Sequence, residues 1–522
     1  MTYRVIIPTA GTGSRLGTLT QYINKSLVSI ALRPTICHIL ELFPQDCEFV
    51  IALGHKGHLV REFLEIAYPK HHFFFTEVNP FEGQGSGLGF SLLCCESLLR
   101  SPFVFISCDT LVKEPIPAPV DNWMGYASVE NLNSYRTLGV TNGQVTAIWA
   151  KGQHQDQARA YIGLAGVKDY LLFWESMHQG GDTAICEGEA YGLNGILQQN
   201  AITAYPFTWF DTGNPEALEH TREVYRCPNE PNILEKSNEA IWFVGSQVIK
   251  FSDDRKFIAN RVNRVKELEG YVPSVLSSGN NMYSYSKVEG RVLSEAINLP
   301  LFESLLSHCQ KFWQIHKLSS EQLNQFHRTC LTFYRDKTLD RVNLFYKTFD
   351  KADNTAPING DPMPLLKDLL HALNWEWLSD GLPGRFHGDF HFENILWSEE
   401  RNTFTFLDWR QDFGGDLITG DIYYDLAKLL HGLIVCHELI VNDNYEVVWE
   451  DNEINFDLRR KQILVECERY LEQWSTRNGY DLKKIRVLTA IIYLNIAALH
   501  HYPYSLMLYA LGKRMLKQEI QK

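Results

Sequence analysis

The chain has 522 residues, a formal net charge of −13, 45% hydrophobic and 21% charged residues. That length exceeds what one hydrophobic core supports, so two or three domains are expected, and the composition excludes a disordered or fibrous protein. The acidic balance argues against nucleic acid or an anionic membrane as main partner, although a local cluster of cations could still hold an anionic substrate. The 11 cysteines include no CxxC pair, which speaks against a zinc ribbon and for reduced thiols in the cytoplasm. The apolar run Val5–Ile7 is too short for a signal-peptide core, and no run reaches the length of about 18 that membrane insertion needs. Oligomeric state is left open.

In chain order, Arg4–Pro8, Glu48–Gly54 and Phe103–Ser107 read as strands, with the amphipathic stretch His58–Ala67 between the second and third. Strands alternating with helices predict an α/β, doubly wound domain of three layers with a mostly parallel sheet, its ligands at the carboxyl ends of the strands. Two prolines and no apolar periodicity mark Tyr225–Ser237 as a connection. This predicts a first domain over 1–226, a linker over 227–238 and a second domain over 239–522. Ala240–Phe251 then reads as a β-hairpin turning at Gly245-Ser246. A helical stretch ends near Glu269-Gly270, strand signal returns at Met282–Val288, and the chain is mainly helical from Leu299, with a strand-loop-strand insert around 385–410. That order predicts an α+β second domain.

The first strand runs into Ala10, Gly11, Thr12, Gly13 and Ser14. Glycines let such a loop approach phosphate closely, and N–H groups at the start of the next helix can point at phosphate oxygens. Arg15 adds a forked cation and Lys25 a second one. No Gly-Lys-Ser/Thr closes the loop as in a Walker A motif, and the third glycine of a dinucleotide fingerprint is missing; a plain Gly-rich turn explains the loop equally well. The pair GTGSRL and NKSL resembles the signature of nucleotidyltransferases that make NDP-sugars and CDP-alcohols, with Asn24 where a proline usually stands. Over roughly residues 1–225 the resemblance implies base contact from Gln84 and Gly85, a metal-binding Asp109, a phosphate contact from Lys151, and a second metal ligand in Asp211 of Trp209–Gly213. Lys151 also reads as a plain surface lysine, and Glu187 and Glu189 read as solvated loop carboxylates ahead of ligands for the ribose or the second substrate. The implied chemistry is attack of a substrate phosphate on the α-phosphorus of an NTP, with Mg2+ on the two aspartates and with Arg15 and Lys25 neutralising charge.

The segment RFHGDFHFENILWSEERNTFTFLDWR at 385–410 places Asp389 five residues before Asn394, with Asp408 fourteen further on. Phosphoryl transfer from ATP uses such a set: one aspartate for the acceptor hydroxyl, and an asparagine and an aspartate for Mg2+. The run His387, Gly388, Asp389, His391, Asn394 resembles the loop of aminoglycoside phosphotransferases and choline/ethanolamine kinases, which implies a protein-kinase-like fold. Asp408-Trp409 and Gly420–Ala427 extend the match, with Asp425 as a brace for the loop. The resemblance also implies that Lys250 contacts the α- and β-phosphates and pairs with Glu267 (Glu269 is a rival), and that Tyr285–Gly290 holds adenine. Tyr334–Arg341 is basic and reads as a solvated helix face or an acceptor wall. Trp375, Trp377, Tyr423, Tyr424 and Tyr493 are candidates for a choline-type cation site, or core.

Two such domains in one chain imply a two-step activation. A small alcohol, amino alcohol or sugar is phosphorylated with ATP, and its phosphate is then coupled to a nucleotide for surface polysaccharide or lipid assembly. CTP is the preferred second nucleotide, with UTP or GTP and a sugar phosphate next. The alternatives are a kinase with a silent nucleotide-sensing or scaffold first domain, and an antibiotic-modifying kinase with an accessory domain.

Overall fold

The computed structural model describes residues 3–153, 155, 157–226, 236–450 and 452–521; most of the expected linker, 227–235, lies outside them. The chain divides into two units, Met1–Ile258 with Leu276–Lys287, and Ala259–Val275 with Val288–Lys522.

The first unit is built on a nine-stranded sheet. Its strands are β1 (Arg4–Pro8), β2 (Glu48–Leu53), β3 (His72–Glu77), β4 (Phe103–Ile106), β5 (Trp123–Ala127), β6 (Thr137–Thr141), β7 (Gln144–Trp149), β8 (Arg159–Val167) and β9 (Thr203–Pro206), in the spatial order β3-β2-β1-β4-β8-β5-β9-β7-β6. Alternate residues of a strand face opposite sides of a sheet. In β1, Val5 and Ile7 enter one core and Ile6 the other; in β2, Ile51 and Leu53 part from Val50 and Ala52 in the same way. Burial on both faces is why these strands read as unbroken apolar runs.

The expectation of a mostly parallel sheet holds only for β3-β2-β1-β4. The other half is mixed: β8 runs antiparallel to β4 and β5, and β7 antiparallel to β6 and β9, while β9 is parallel to β5. The pairing of those strands depends on contacts distant in sequence. One local cue was present and unread. Asn142-Gly143, both at positive φ (52° and 75°), is the pair that a tight hairpin turn between β6 and β7 requires.

A second sheet in the same unit has the order β10-β11-β13-β12, with β10 (Glu239–Val244), β11 (Gln247–Ser252), β12 (Val275–Ser278) and β13 (Met282–Ser286). The expected hairpin turns at Gly245, at φ 58°. This sheet shares a core with the first. Trp242, wholly buried, meets Phe63 edge-on at 5.2 Å, and its indole N–H donates to the Ser29 hydroxyl at 2.9 Å. The Asn281 backbone N–H donates to the Glu62 carboxylate at 2.8 Å.

The second unit is helical apart from short strands. Helix Leu482–Ala497 is buried along most of its length, and Ile422–Ile434 and Tyr504–Gln521 expose little more. The expected insert is present as Ile395–Ser398 paired with Thr403–Phe406. A hairpin at Tyr445–Trp449 and Ile454–Leu458 was not anticipated. Among the described residues, no helix is long and apolar enough to cross a membrane.

Trp242→Ala removes a buried indole from the shared core and should lower unfolding stability by about 3–5 kcal/mol. Leu276→Ala, at an exposed position of β12, should change it by less than about 0.5 kcal/mol. Urea denaturation of the two variants checks the contrast.

Candidate functional site

The first site forms where β1 and β4 end. The Thr9 N–H donates to the Ala52 carbonyl (3.0 Å) and the His55 N–H to the Ala10 carbonyl (2.9 Å), which fixes the start of the loop. Ala10 is buried, Gly11 and Ser14 are exposed, and Thr12 and Gly13 lie between. Gly13 has φ 67°, and a Cβ there would meet Lys25 Cβ at 3.0 Å, so the loop closes directly on the lysine. The expected helix after the loop is instead a short 3-10 segment, Ser14–Thr20, broken at Gly17; two glycines within five residues cost an α-helix too much entropy.

Asn24 is wholly buried. Its amide nitrogen donates to the carbonyls of Thr9 (2.9 Å) and His55 (2.7 Å), and its Oδ1 accepts from the Ser26 N–H (2.9 Å) and hydroxyl (2.8 Å). These side-chain hydrogen bonds fix the segment that carries Lys25.

Lys25 makes an ion pair with Asp109, which follows β4. Asp211 ends the strand Trp209–Asp211, which pairs antiparallel with Thr110–Val112 and sets Asp211 opposite Thr110. A Cβ on Gly213 would lie 2.7 Å from Asp109 Oδ2, 2.9 Å from Asp211 Oδ1 and 3.6 Å from an Arg15 guanidinium nitrogen. Two carboxylates and Arg15 thus converge where only glycine fits. Burial pushes the Asp109 carboxyl up, but Lys25, Ser107 and Arg15 outweigh it and hold it at about 2. Asp211 is raised, by burial and then by the Asp109 charge. A pair of hard oxygen donors, one of them short of positive charge, fits a divalent cation such as Mg2+.

Lys151 stands on the turn after β7. Its amine is lowered by desolvation and then by Arg15 and Arg136, while Asp109 and Asp211 act the other way; the same charges that define the site reach it. Gln84 and Gly85 are exposed in a loop whose Phe81, like Ala10, packs against Gly54. Glu189, expected as a solvated loop carboxylate, is instead buried at the start of helix Glu189–Leu197. Burial raises it to about 7, against the opposing charge of Arg136.

The second site forms around His387–Asn394. Asp425, wholly buried on helix Ile422–Ile434, accepts the N–H groups of His387 and Gly388, both at 2.7 Å, and the Trp313 indole N–H at 3.0 Å. This is the brace expected for Asp425. His387 is neutral, lowered to about 3 chiefly by burial. Its Nε2–H donates to the Leu407 carbonyl (2.8 Å), and its Nδ1 accepts from the Asp389 N–H (3.2 Å). The Arg410 N–H donates to the His387 carbonyl (2.9 Å) and the Leu407 N–H to the Asn394 carbonyl (2.7 Å). These bonds staple the segment bearing Asp408 to the loop bearing Asp389 and Asn394.

The Asn394 amide nitrogen donates to the Asp389 carbonyl (2.9 Å) and carboxylate (3.4 Å), and its Oδ1 is the oxygen it can offer a cation. Asp408 sits at φ 55°, rare for a residue other than glycine, and its carboxylate meets Arg261 at 2.9 Å. Asn394 and Asp408 offer the oxygen donors that Mg2+ prefers.

Asp389 is held ionised against burial by Lys428, 2.8 Å away, and by His391. Lys428 was not anticipated; it lies one helical turn from Asp425 on the same face, which is the signal that could have found it. Arg264, also unanticipated, is 1% exposed. It donates to the carbonyls of Phe386 (2.6 Å), Leu417 (3.0 Å) and Arg410 and lies 3.8 Å over the Phe386 ring. Lys250 is buried in β11, opposite Ile241 and Tyr283. Glu267 is exposed in the turn after helix Arg255–Arg264.

Residues 253–446 match the family model of the phosphotransferase enzyme family, APH. No curated protein matches the chain. Similar solved structures include a UDP-glucose pyrophosphorylase complexed with UDP-glucose (20% identity, 43% of this chain and 98% of that one, TM-score 0.38). A putative glucose-1-phosphate thymidylyltransferase from Bacillus anthracis (18%, 45% and 98%, 0.38) and the CTP:phosphocholine cytidylyltransferase from Streptococcus pneumoniae (15%, 43% and 99%, 0.36) are others.

Asp425→Ala leaves three buried N–H donors unsatisfied, each worth about 1–3 kcal/mol, so thermal unfolding should show a loss of about 3 kcal/mol or more. Glu189 has a folded pKa of about 7, above its ordinary value of 4.5. Its contribution to stability is complete below 4.5 and lost as pH rises through 7. Glu189→Gln should flatten the fall in unfolding free energy across that window, which denaturant titrations at several pH values measure.

Proposed function

We propose that the chain is a bifunctional enzyme, a small-molecule kinase and a nucleotidyltransferase acting in succession on one acceptor. The observation that carries this is the second site's geometry: Asp425 and His387 hold Asp389, Asn394 and Asp408 on two stapled segments. The convergence of Arg15, Lys25, Asp109 and Asp211 around Gly213 supports a working rather than a silent first domain. The nucleotidyltransferase is assigned to residues 1–226 and the kinase to 239–522. The setting is cytoplasmic, and the product serves surface polysaccharide or lipid assembly.

In the kinase reaction, Asp389 orients the acceptor hydroxyl and receives its proton as the oxygen bonds to the γ-phosphorus of ATP and the bond to ADP breaks. The charges of Lys428 and His391 keep Asp389 a weak base, which suits a transfer in which little proton loss precedes phosphorus–oxygen cleavage. Lys250 and Glu267 are assigned to nucleotide contact. In the second reaction, an oxygen of the new phosphate attacks the α-phosphorus of CTP (or UTP or GTP), and pyrophosphate leaves. Arg15, Lys25 and Lys151 offset the charge that crowds there, while Gln84 and Gly85 border the base. Mg2+, held by Asp109 and Asp211 in one site and by Asn394 and Asp408 in the other, would supply further charge neutralisation.

Asp389→Asn should cut ADP release at least about 10²–10³-fold and leave pyrophosphate release from a pre-phosphorylated acceptor intact. Lys25→Met should do the reverse. Parallel ADP and pyrophosphate assays with ATP, each of CTP, UTP and GTP, and a panel of alcohols, amino alcohols and sugars check both. ADP release alone, under all conditions, contradicts the nucleotidyltransferase.

A further inference from the structure

Tyr334–Arg341, read from sequence as a solvated helix face or an acceptor wall, borders a cavity in the second unit. That cavity, about 600 Å³, is lined by Arg328, Thr329, Phe333, Lys337 and Arg341 among others, with Gly414 at its edge. Two acids, Asp336 and Asp340, also line it, but Asp336 is already paired with Arg335 at 2.8 Å. The Lys337 amine stands 4.3 Å over the Phe333 ring, and the Arg410 guanidinium 4.8 Å over the same ring. Arg410 in turn packs on the catalytic loop, where a Cβ on Gly388 would meet its Cβ at 2.6 Å. Lys428 is already on Asp389.

Positive charge is therefore in surplus beside Asp389. Lys337 registers it: burial, then Arg410, Lys428 and Arg341, lower its amine to about 7, and Asp389 only partly offsets them. His431, one turn beyond Lys428 on the same helix, is buried with neither ring nitrogen hydrogen-bonded, and the adjacent Gly432 lies against His391. Most of the aromatic residues considered for a quaternary ammonium are otherwise engaged. Phe333 carries two cations, Tyr424 and Tyr493 are buried, and Trp377 and Tyr423 both face Lys484.

We propose that the kinase acceptor is an anion, a hydroxylated small molecule bearing its own carboxylate or phosphate, which the cavity receives on Lys337 and Arg341 with its hydroxyl toward Asp389. Such a charge relieves the repulsion among the cations, whereas choline or ethanolamine would add to it. The inference rests on the kinase reading above and narrows its acceptor to one class.

The test uses the full chain with ATP and Mg2+. ADP release is measured with D-glycerate and D-gluconate (carboxylates), glycerol 3-phosphate and glucose 6-phosphate (phosphates), and glycerol, glucose, choline and ethanolamine. Turnover should be confined to one anionic arm, which also tells carboxylate from phosphate. Lys337→Glu and Arg341→Glu should raise the acceptor KM at least about tenfold, the scale of one lost charge contact, with the KM for ATP within about twofold. Lys337→Arg, which keeps the charge, should stay near the parent. Preference for a neutral or cationic acceptor, no turnover of any anion by a protein that binds ATP, or a shift in the KM for ATP instead of the acceptor would each overturn the proposal alone. Failure to bind ATP at all would overturn the kinase reading, and this inference with it.

Discussion

Each site depends on a carboxylate kept ionised by a lysine that is itself largely shielded from water: Lys25 on Asp109 and Lys428 on Asp389. Burial alone would neutralise these acids, and an uncharged acid neither draws a cation nor orients a hydroxyl. Such pairs are poor sources of stability, because desolvation consumes most of their attraction. Their placement makes sense as charge prepared for phosphate chemistry. Asp109, held at about 2 chiefly by Lys25 against burial, contrasts with Asp211, raised by burial and then by the Asp109 charge.

Holding such charges in place requires the backbone around them to be rigid, and the two sites solve this alike. A buried polar side chain that performs no chemistry is spent on main-chain groups: Asn24 joins the ends of two strand loops beside Lys25, and Asp425 gathers the N–H groups that precede Asp389. Arg264 does the same with carbonyls, fixing Phe386, Arg410 and Leu417 with one guanidinium. Fully satisfied buried groups of this kind specify one conformation. The left-handed backbone at Asp408 persists because the bonds on either side of it leave no alternative.

The parts legible in sequence were those whose meaning is local. The His387–Asn394 spacing, the strand-end position of Asp109, the hairpin at Gly245 and the apolar runs of β1, β2 and β4 all announce themselves within a few residues. Long-range partners did not. Lys428 and Lys337 look like ordinary helix lysines until the fold brings them near Asp389. Glu189 reads as a loop acid because nothing nearby in sequence predicts its burial. The mixed half of the large sheet escaped for the same reason: β8 is set by its pairing with β4, more than fifty residues earlier. The sharing of a core between Trp242 and Phe63 likewise has no signature in either segment alone.

The central claim, that one chain assembles two separate phosphate-handling sites, is tested most directly by nucleotide stoichiometry. Calorimetric titration with Mg2+ and non-hydrolysable analogues of ATP and CTP should find two nucleotides per chain. Asp408→Asn should remove one of them, and the double substitution Asp109→Asn with Asp211→Asn the other. A single nucleotide per chain, or one substitution that abolishes both binding events, would contradict the account.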